Sequence, residues 1–234
     1  MKRRDFLGSC ALLSAVAPLV HADAAADSVA VRRYARSLLV DEHGAAIRAA
    51  ALAAETNYVF HYPFASTPCF LLRLADAVPQ AAALRRERGD PYAAPAGVGP
   101  ARTIVSFSAI CAHKLAYPTR EVSFIRYQPK RSATSDAQVI HCCADHSVYD
   151  PASGARVLAG PAPQPLAAIL LEHDAATGEL AALGTVGAEQ FDAFFRKYEF
   201  KLAMEHGPAK ARNGIGPTSV VRELTQYCKQ TIQC

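Results

Sequence analysis

Two short cysteine–histidine pairs constrain this chain more than any other feature. Cys111 and His113, separated by one residue, end one apolar segment, and Cys143 and His146, separated by two residues, end another. Each pair offers one thiolate and one imidazole, so the two loops together would make a site with two sulfur and two nitrogen ligands. That donor set suits either a zinc ion or an iron–sulfur cluster.

The segments around these pairs have the sequence patterns of β-strands. Residues 121–128 and 137–143 alternate apolar and polar side chains around the turn "PKRSATSD", and residues 167–184 contain a second turn at "DAATG". Both patterns predict hairpins. The alanine-rich region 28–58 predicts helices, and residues 187–207 predict an amphipathic helix with Phe191, Phe194, Phe195 and Phe200 on or near one face.

The residues around both pairs resemble the cluster-binding boxes of Rieske proteins. "SFSAICAH" is similar to the first box, and "CCADHSVYDPASGARVLAGPAPQPL" is similar to the second box with the serine–tyrosine motif, glycine turn and proline loop that follow it. In that family, cysteines bind one iron of a [2Fe–2S] cluster and histidines bind the other. The resemblance covers roughly residues 58–185. It is to exported, respiratory-type subunits such as those of quinol–cytochrome c reductases and arsenite oxidases.

The resemblance implies a mainly β chain, with a Rieske-type antiparallel β-sandwich that holds a [2Fe–2S] cluster between two loops at one tip. The implied cluster and metal ligands are Cys111, His113, Cys143 and His146. Ser147 and Tyr149 match residues that donate hydrogen bonds to the cluster or its ligands in high-potential relatives. The implied function is one-electron transfer within a membrane-associated respiratory or oxidoreductase complex. The donor would be a quinol or a catalytic partner, and the acceptor would be cytochrome-like.

Two registers of the second box remain open. Keeping the spacing of two residues between cysteine and histidine selects Cys143 and His146, with one residue deleted before Ser147. A gap-free alignment on "SVYD" selects Cys142 and places Asp145 in the histidine position. We expect the first register because it supplies a complete ligand set. The alternative functions are a zinc-binding variant and a Rieske-fold structural or interaction subunit that has lost its cluster.

The first 26 residues have the features of an export signal. A basic cluster at residues 2–4 precedes the apolar run 6–20, and small residues near 24–26 offer cleavage sites. The motif "RRDFL" resembles a twin-arginine signal. We therefore expect a periplasmic protein, anchored to the inner membrane if the signal is retained.

Export into an oxidising compartment favours disulfide bonds. Cys228 and Cys234, close together near the end of the sequence, are the expected pair, whereas the disulfide that joins the two boxes in high-potential relatives is absent because Ala116 stands in the first of its positions. Basic and acidic residues number 25 and 21 and are scattered, which does not indicate nucleic-acid binding. The expected parts of the chain are a signal or anchor at 1–26, a helical extension at 27–57, a Rieske-like domain at 58–185 and a helical extension at 186–234.

Overall fold

The computed structural model describes residues 31–187 and 189–234. The chain is mainly β, with 38% strand and 13% helix, which confirms the predicted fold class and makes the helical extensions minor. The proposed signal at 1–26 lies outside the described residues. Among the described residues, no helix is long and apolar enough to cross a membrane.

The described elements are sixteen strands, two α-helices and two 3₁₀ turns. The strands are β1 (Val31–Val40), β2 (Tyr58–His61), β3 (Pro68–Arg73), β4 (Ala82–Arg85), β5 (Pro91–Ala94), β6 (Ile104–Ser108), β7 (Val122–Ser123), β8 (Ile125–Gln128), β9 (Val139–Cys142), β10 (Ser147–Asp150), β11 (Arg156–Ala159), β12 (Ala168–His173), β13 (Leu180–Val186), β14 (Thr218–Val220), β15 (Arg222–Glu223) and β16 (Gln230–Thr231). The helices are Phe191–His206 and Leu224–Tyr227, and the 3₁₀ turns are Ala49–Ala51 and Pro151–Ser153.

Most of the strands belong to one large and one small sheet. The eight-stranded sheet has the order β14-β1-β13-β12-β6-β3-β2-β15, and all its neighbours except β14 and β1 are antiparallel. Strands β8 to β11 form a four-stranded antiparallel sheet. The two predicted hairpins are present as the pairs β8–β9 and β12–β13. Their turn residues are local signals, so the sequence alone defines them.

One buried core joins the two sheets. Its members from the large sheet include Phe70 and Phe107, and its members from the small sheet include Tyr127, Ile140 and Tyr149. All five side chains are at most 2% exposed. Burial of such large apolar and aromatic surfaces is the main force that holds two sheets together. Cys111, in the loop after β6, and Cys142, the last residue of β9, belong to the same core, so the candidate site lies where these strands end.

The predicted helical extension at 27–57 is wrong in the part that the structure describes. Val31–Val40 forms β1, which pairs with β13 and with β14 inside the large sheet. Leu39 and Val40 are buried there, and this tertiary pairing overrides the helical propensity of the surrounding alanines and arginines. The described part of this segment is helical only in the 3₁₀ turn Ala49–Ala51.

The predicted C-terminal helix is present as Phe191–His206, with Phe191, Phe194 and Phe195 buried. Phe200 does not share their face, and it is 79% exposed. It lies nine residues after Phe191, which is half a turn away at 100° per residue. Beyond this helix the chain forms β14, β15 and β16 and a single helical turn, so the sheets extend outside residues 58–185 on both sides.

Candidate metal centre

The first cysteine–histidine pair lies in a closed turn after β6. The N–H of Cys111 donates to the carbonyl of Ala116 at 2.8 Å, and the N–H of Leu115 donates to the carbonyl of Cys111 at 3.0 Å. The side chain of Cys111 is fully buried, whereas that of His113 is 37% exposed. The turn therefore directs its thiol into the core and its imidazole towards the surface.

The helix Phe191–His206 supports this first loop. Ile110, Leu115 and Tyr117 pack against its buried phenylalanines in one apolar cluster. Just before the helix, the Gln190 side chain donates from Nε2 to the carbonyl of Ala112 at 2.7 Å. These contacts hold the turn from the side opposite the core.

The second loop is the tight turn between β9 and β10. Cys142 is the last residue of β9 and pairs with Ser147, and the N–H of His146 donates to the carbonyl of Cys142 at 2.7 Å. Because every second residue of a strand faces the same side, Ile140 and Cys142 share the core face of β9, and Cys143 follows in the turn outside that core cluster. Cys142 is 0% exposed within that core.

The structure does not place Cys143 and His146 with the first loop, contrary to the expected register. Cys143 forms a disulfide with Cys234, with an S–S distance of 2.06 Å. A disulfide sulfur has no thiolate to offer to a metal. The His146 ring lies beside that of His141, with 5.7 Å between ring centroids. The expected Cys228–Cys234 disulfide is also wrong, since Cys228 is a free, buried thiol.

Cys142 and Asp145 meet the first loop instead. One ligand atom each from Cys111, Cys142 and Asp145 lies within 4.8 Å of the others. Oδ2 of Asp145 is 3.3 Å from Cys111 Sγ and 3.0 Å from His113 Nδ1. Two sulfurs and one oxygen therefore converge, with the His113 nitrogen next to that oxygen, and Cys142 and Asp145 are the residues that the gap-free register selects.

The protonation of this group favours a bound cation. The pKa of the Cys111 thiol is lowered to about 7, first because the Cys142 thiol hydrogen-bonds to it, and that same hydrogen bond and burial raise the pKa of Cys142. Burial acts to raise the pKa of Asp145, but hydrogen bonds led by the N–H of Ser147 outweigh it, so the pKa is below its usual value. The Cys111 thiol, 3.3 Å from the Asp145 carboxylate, is thus easier to ionise than an ordinary thiol, and a bound metal cation would favour its thiolate form.

Tyr149 and Ser147 provide further polar groups at the site. The Tyr149 oxygen accepts from the N–H of Ala112 at 3.1 Å and lies 3.4 Å from Cys111 Sγ. Burial raises the pKa of Tyr149, so the phenol keeps its proton and can donate it to that sulfur. The buried Oγ of Ser147, opposite Cys142 in the hairpin, has no hydrogen-bond partner. A buried hydroxyl without a partner costs about 1–3 kcal/mol, and an acceptor bound beside Cys142 would remove that cost.

Comparisons with known proteins give a limited result. No family model matches the chain. The solved structures include a similar one, the soluble domain of the Rieske protein II (soxF) from Sulfolobus acidocaldarius. It is 24% identical with a TM-score of 0.45, and the match covers 67% of this chain and 82% of that chain. The functional assignment therefore depends on the site itself.

The donor set fits a [2Fe–2S] cluster with one change from the Rieske pattern. Two thiols and one imidazole are present, and the carboxylate of Asp145 stands where a second imidazole is expected. Two signals in the sequence point to this set. The alternation of side chains along β9 places Cys142 on the core face with Ile140. Aligning "SVYD" with the corresponding motif of the second Rieske box also selects Cys142 and Asp145, without a gap between them and Ser147.

Proposed function

We propose that this protein transfers single electrons through a [2Fe–2S] cluster of Rieske type, held by Cys111, Cys142, His113 and Asp145. The observation that carries the proposal is that two buried thiols and a carboxylate meet an imidazole that lies nearer the surface. Both thiols are 0% exposed and the Asp145 side chain is 2% exposed, whereas the His113 side chain is 37% exposed. Such an arrangement suits a centre in which thiolates hold an inner iron and His113 contributes to an outer one.

Bound in this site, the cluster would supply a reversible one-electron couple. The Tyr149 phenol, 3.4 Å from Cys111 Sγ, would then donate to that sulfur and so offset negative charge there. Asp145 does the opposite, because its carboxylate adds a negative charge at a position where an imidazole is neutral. We therefore expect a reduction potential below that of an otherwise equal centre with two imidazoles, for which the range is about −150 to +300 mV.

The second candidate function is a zinc site. It is favoured by the short distances between the ligand atoms of Cys111, Cys142 and Asp145. Ligands of one tetrahedral zinc ion lie roughly 3.5 Å apart, given metal–ligand distances of about 2.0–2.3 Å. The 3.3 Å between Cys111 Sγ and Asp145 Oδ2 is close to that spacing. The buried phenol and the unpaired Ser147 hydroxyl favour the cluster, since sulfide ions beside the thiolates would provide acceptors that a zinc ion lacks.

Metal analysis of the full chain, purified without oxygen, tests the proposal. We expect two iron and two sulfide ions per chain and an EPR signal from one unpaired electron after reduction by dithionite. One zinc ion per chain and no iron would support the second candidate instead. A protein that holds no metal and has no redox couple, yet binds the other subunits of a complex, would favour a structural or interaction role.

Two neighbouring cysteines provide a matched pair of variants. Cys142→Ser should abolish iron binding, because it removes a core-facing thiol of the site. Cys143→Ser should retain the iron and lose only the disulfide. The reverse result would restore the register with Cys143 and His146 as ligands and refute the donor set proposed above.

The biological setting is a further part of this proposal. We infer an exported, periplasmic subunit of a membrane-associated redox complex, reduced by a quinol or a catalytic partner and oxidised by a cytochrome-like acceptor. The supports are the twin-arginine motif at residues 3–7 and the cofactor, since that route exports folded proteins. Changing both arginines to lysine should leave the precursor in the cytoplasm, and normal export of that variant would contradict the inferred route.

A further inference from the structure

A second group of metal-ligand residues lies beside the candidate centre, next to the turn between β9 and β10. It consists of His141, Cys143 and Cys234, one ligand atom of each being within 4.8 Å of the others. His141 alternates with Cys142 along β9, so its side chain leaves the strand on the face opposite Cys142, and Cys143 follows in the turn. Cys234 Sγ is 3.5 Å from both ring nitrogens of His141.

The imidazole of His141 is held in the manner of a metal ligand. It is 0% exposed, and its Nδ1 lies 3.0 Å from the hydroxyl of Ser135. That hydroxyl accepts in turn from Nε2 of Gln128 at 2.8 Å. Metal-binding histidines usually donate one ring N–H to such a neighbour, which fixes the ring and leaves the other nitrogen for the metal. Here Nδ1–H would donate to Ser135, which leaves Nε2, 3.5 Å from Cys234 Sγ, as the ring nitrogen available to a metal.

Two thiolates and an imidazole are a ligand set for a borderline-soft divalent cation such as Zn²⁺. The thiolates exist only when the Cys143–Cys234 disulfide is reduced. Both cysteines of the disulfide are partly exposed, whereas Cys69, Cys111, Cys142 and Cys228 are buried. A reductant can therefore reach this disulfide from solvent.

We propose that His141, Cys143 and Cys234 form a redox-gated site for a zinc-like divalent cation, closed as a disulfide and opened by a dithiol reductant. In the first step the reductant gives two electrons and two protons to the S–S bond and becomes a disulfide itself. In the second step the cation binds both sulfurs and Nε2 of His141, and the two thiol protons leave to solvent. The exposed ring of His146, or a water molecule, would complete four ligands.

Cobalt titration of the full chain tests this site, because Co²⁺ replaces zinc and absorbs light when thiolates bind it. Oxidised protein and protein reduced by a phosphine, which is itself a weak ligand, are compared at equal concentration. Cys111 and Cys142 of the candidate centre are free thiols in both states, so the difference between the two titrations reports only cobalt bound by His141, Cys143 and Cys234. We expect reduced protein to bind one more equivalent of Co²⁺, with thiolate-to-cobalt absorption that Zn²⁺ abolishes.

Variants separate this site from other thiols. Cys234→Ser should lose the additional equivalent, and Cys228→Ala, which changes a tail cysteine outside the group, should keep it. Ser135→Ala should keep the fold and weaken cobalt binding at the second site by roughly tenfold, the effect expected of a residue that orients a ligand. Equal cobalt binding by oxidised and reduced protein would overturn the proposal, as would a gain that persists in Cys234→Ser. None of these measurements uses the iron content, so the electron-transfer proposal stands or falls separately.

Discussion

Removal of the Cys143–Cys234 disulfide is expected to lower the free energy of unfolding by about 2–4 kcal/mol. The bond closes a loop with a sequence separation of 91 residues. For a loop of that length, the chain-entropy relation gives about 15 cal/mol/K, or about 4.6 kcal/mol at 25 °C. We expect less than this limit, because an unfolded chain retains residual structure and is less free than the relation assumes. In the folded state Leu224, Tyr227 and Cys228 belong to the main core and β16 pairs with β7, so the tail should stay folded without the bond.

The assay is urea unfolding of the Cys143→Ala/Cys234→Ala double variant beside the oxidised parent chain. Both proteins are measured without bound metal, because a ligand that binds only the folded state adds to apparent stability. A loss of 3 kcal/mol corresponds to a fall in Tm of roughly 6–12 °C for a chain of this size. Replacing both cysteines avoids leaving a single reactive thiol.

Chemical reduction provides the control for this prediction. Reducing the parent chain should produce the same loss as the double substitution, and reducing the double variant should produce no further loss. If the free energy of unfolding of the double variant is within about 0.5 kcal/mol of that of the oxidised parent, the disulfide does not stabilise the fold by restricting the unfolded chain.

Four further predictions follow from the site and the core. Tyr149→Phe removes the proton directed at Cys111 Sγ, so the reduction potential should fall by roughly 60–100 mV in a redox titration. Ser147→Ala removes a buried hydroxyl without a partner, so the metal-free protein should gain up to about 1 kcal/mol in urea unfolding, whereas the potential of the loaded protein should fall. Asp145→His replaces a carboxylate by a neutral imidazole, and voltammetry should show a higher potential with iron content unchanged; an unchanged potential would argue against Asp145 as a ligand. Burial lowers the pKa of His61 to about 4 from 6.5, so the unfolded state binds the proton more tightly. The contribution of His61 to the free energy of unfolding is fully present above pH 6.5 and is lost as the pH falls towards 4, by at most about 3 kcal/mol. In urea unfolding across that range, the stability of His61→Gln should therefore depend less on pH than that of the parent chain.

The strands that the sequence predicts well are those whose signals are local. The β8–β9 and β12–β13 hairpins carry alternation and turn residues within about twenty residues, and both are present. Strand β1 has no such signal, because its pairing with β13 joins residues 31–38 to residues 181–186. Its arginines and alanine suit a helix as well as a strand, so only the distant partner decides the structure.

The donor set shows how a single residue of register changes a site. A preference for two histidines selects Cys143 and His146, but Cys142 is the cysteine that lies on β9, on the same face as Ile140. Cys143 follows in the turn and is bonded to Cys234. The alternation of side chains along the strand therefore favours the register with Cys142, and the proposed donor set follows it.

The segments that follow residue 185 have a structural role that their sequence does not reveal. The helix Phe191–His206 packs on the first loop, and the tail beyond it reaches both loops. Its strand β16 pairs with β7, just after the first loop, and its Cys234 is bonded to Cys143 in the second loop. The tail therefore links the two loops indirectly, so its release should loosen the second loop, next to Cys142 and Asp145, before the first.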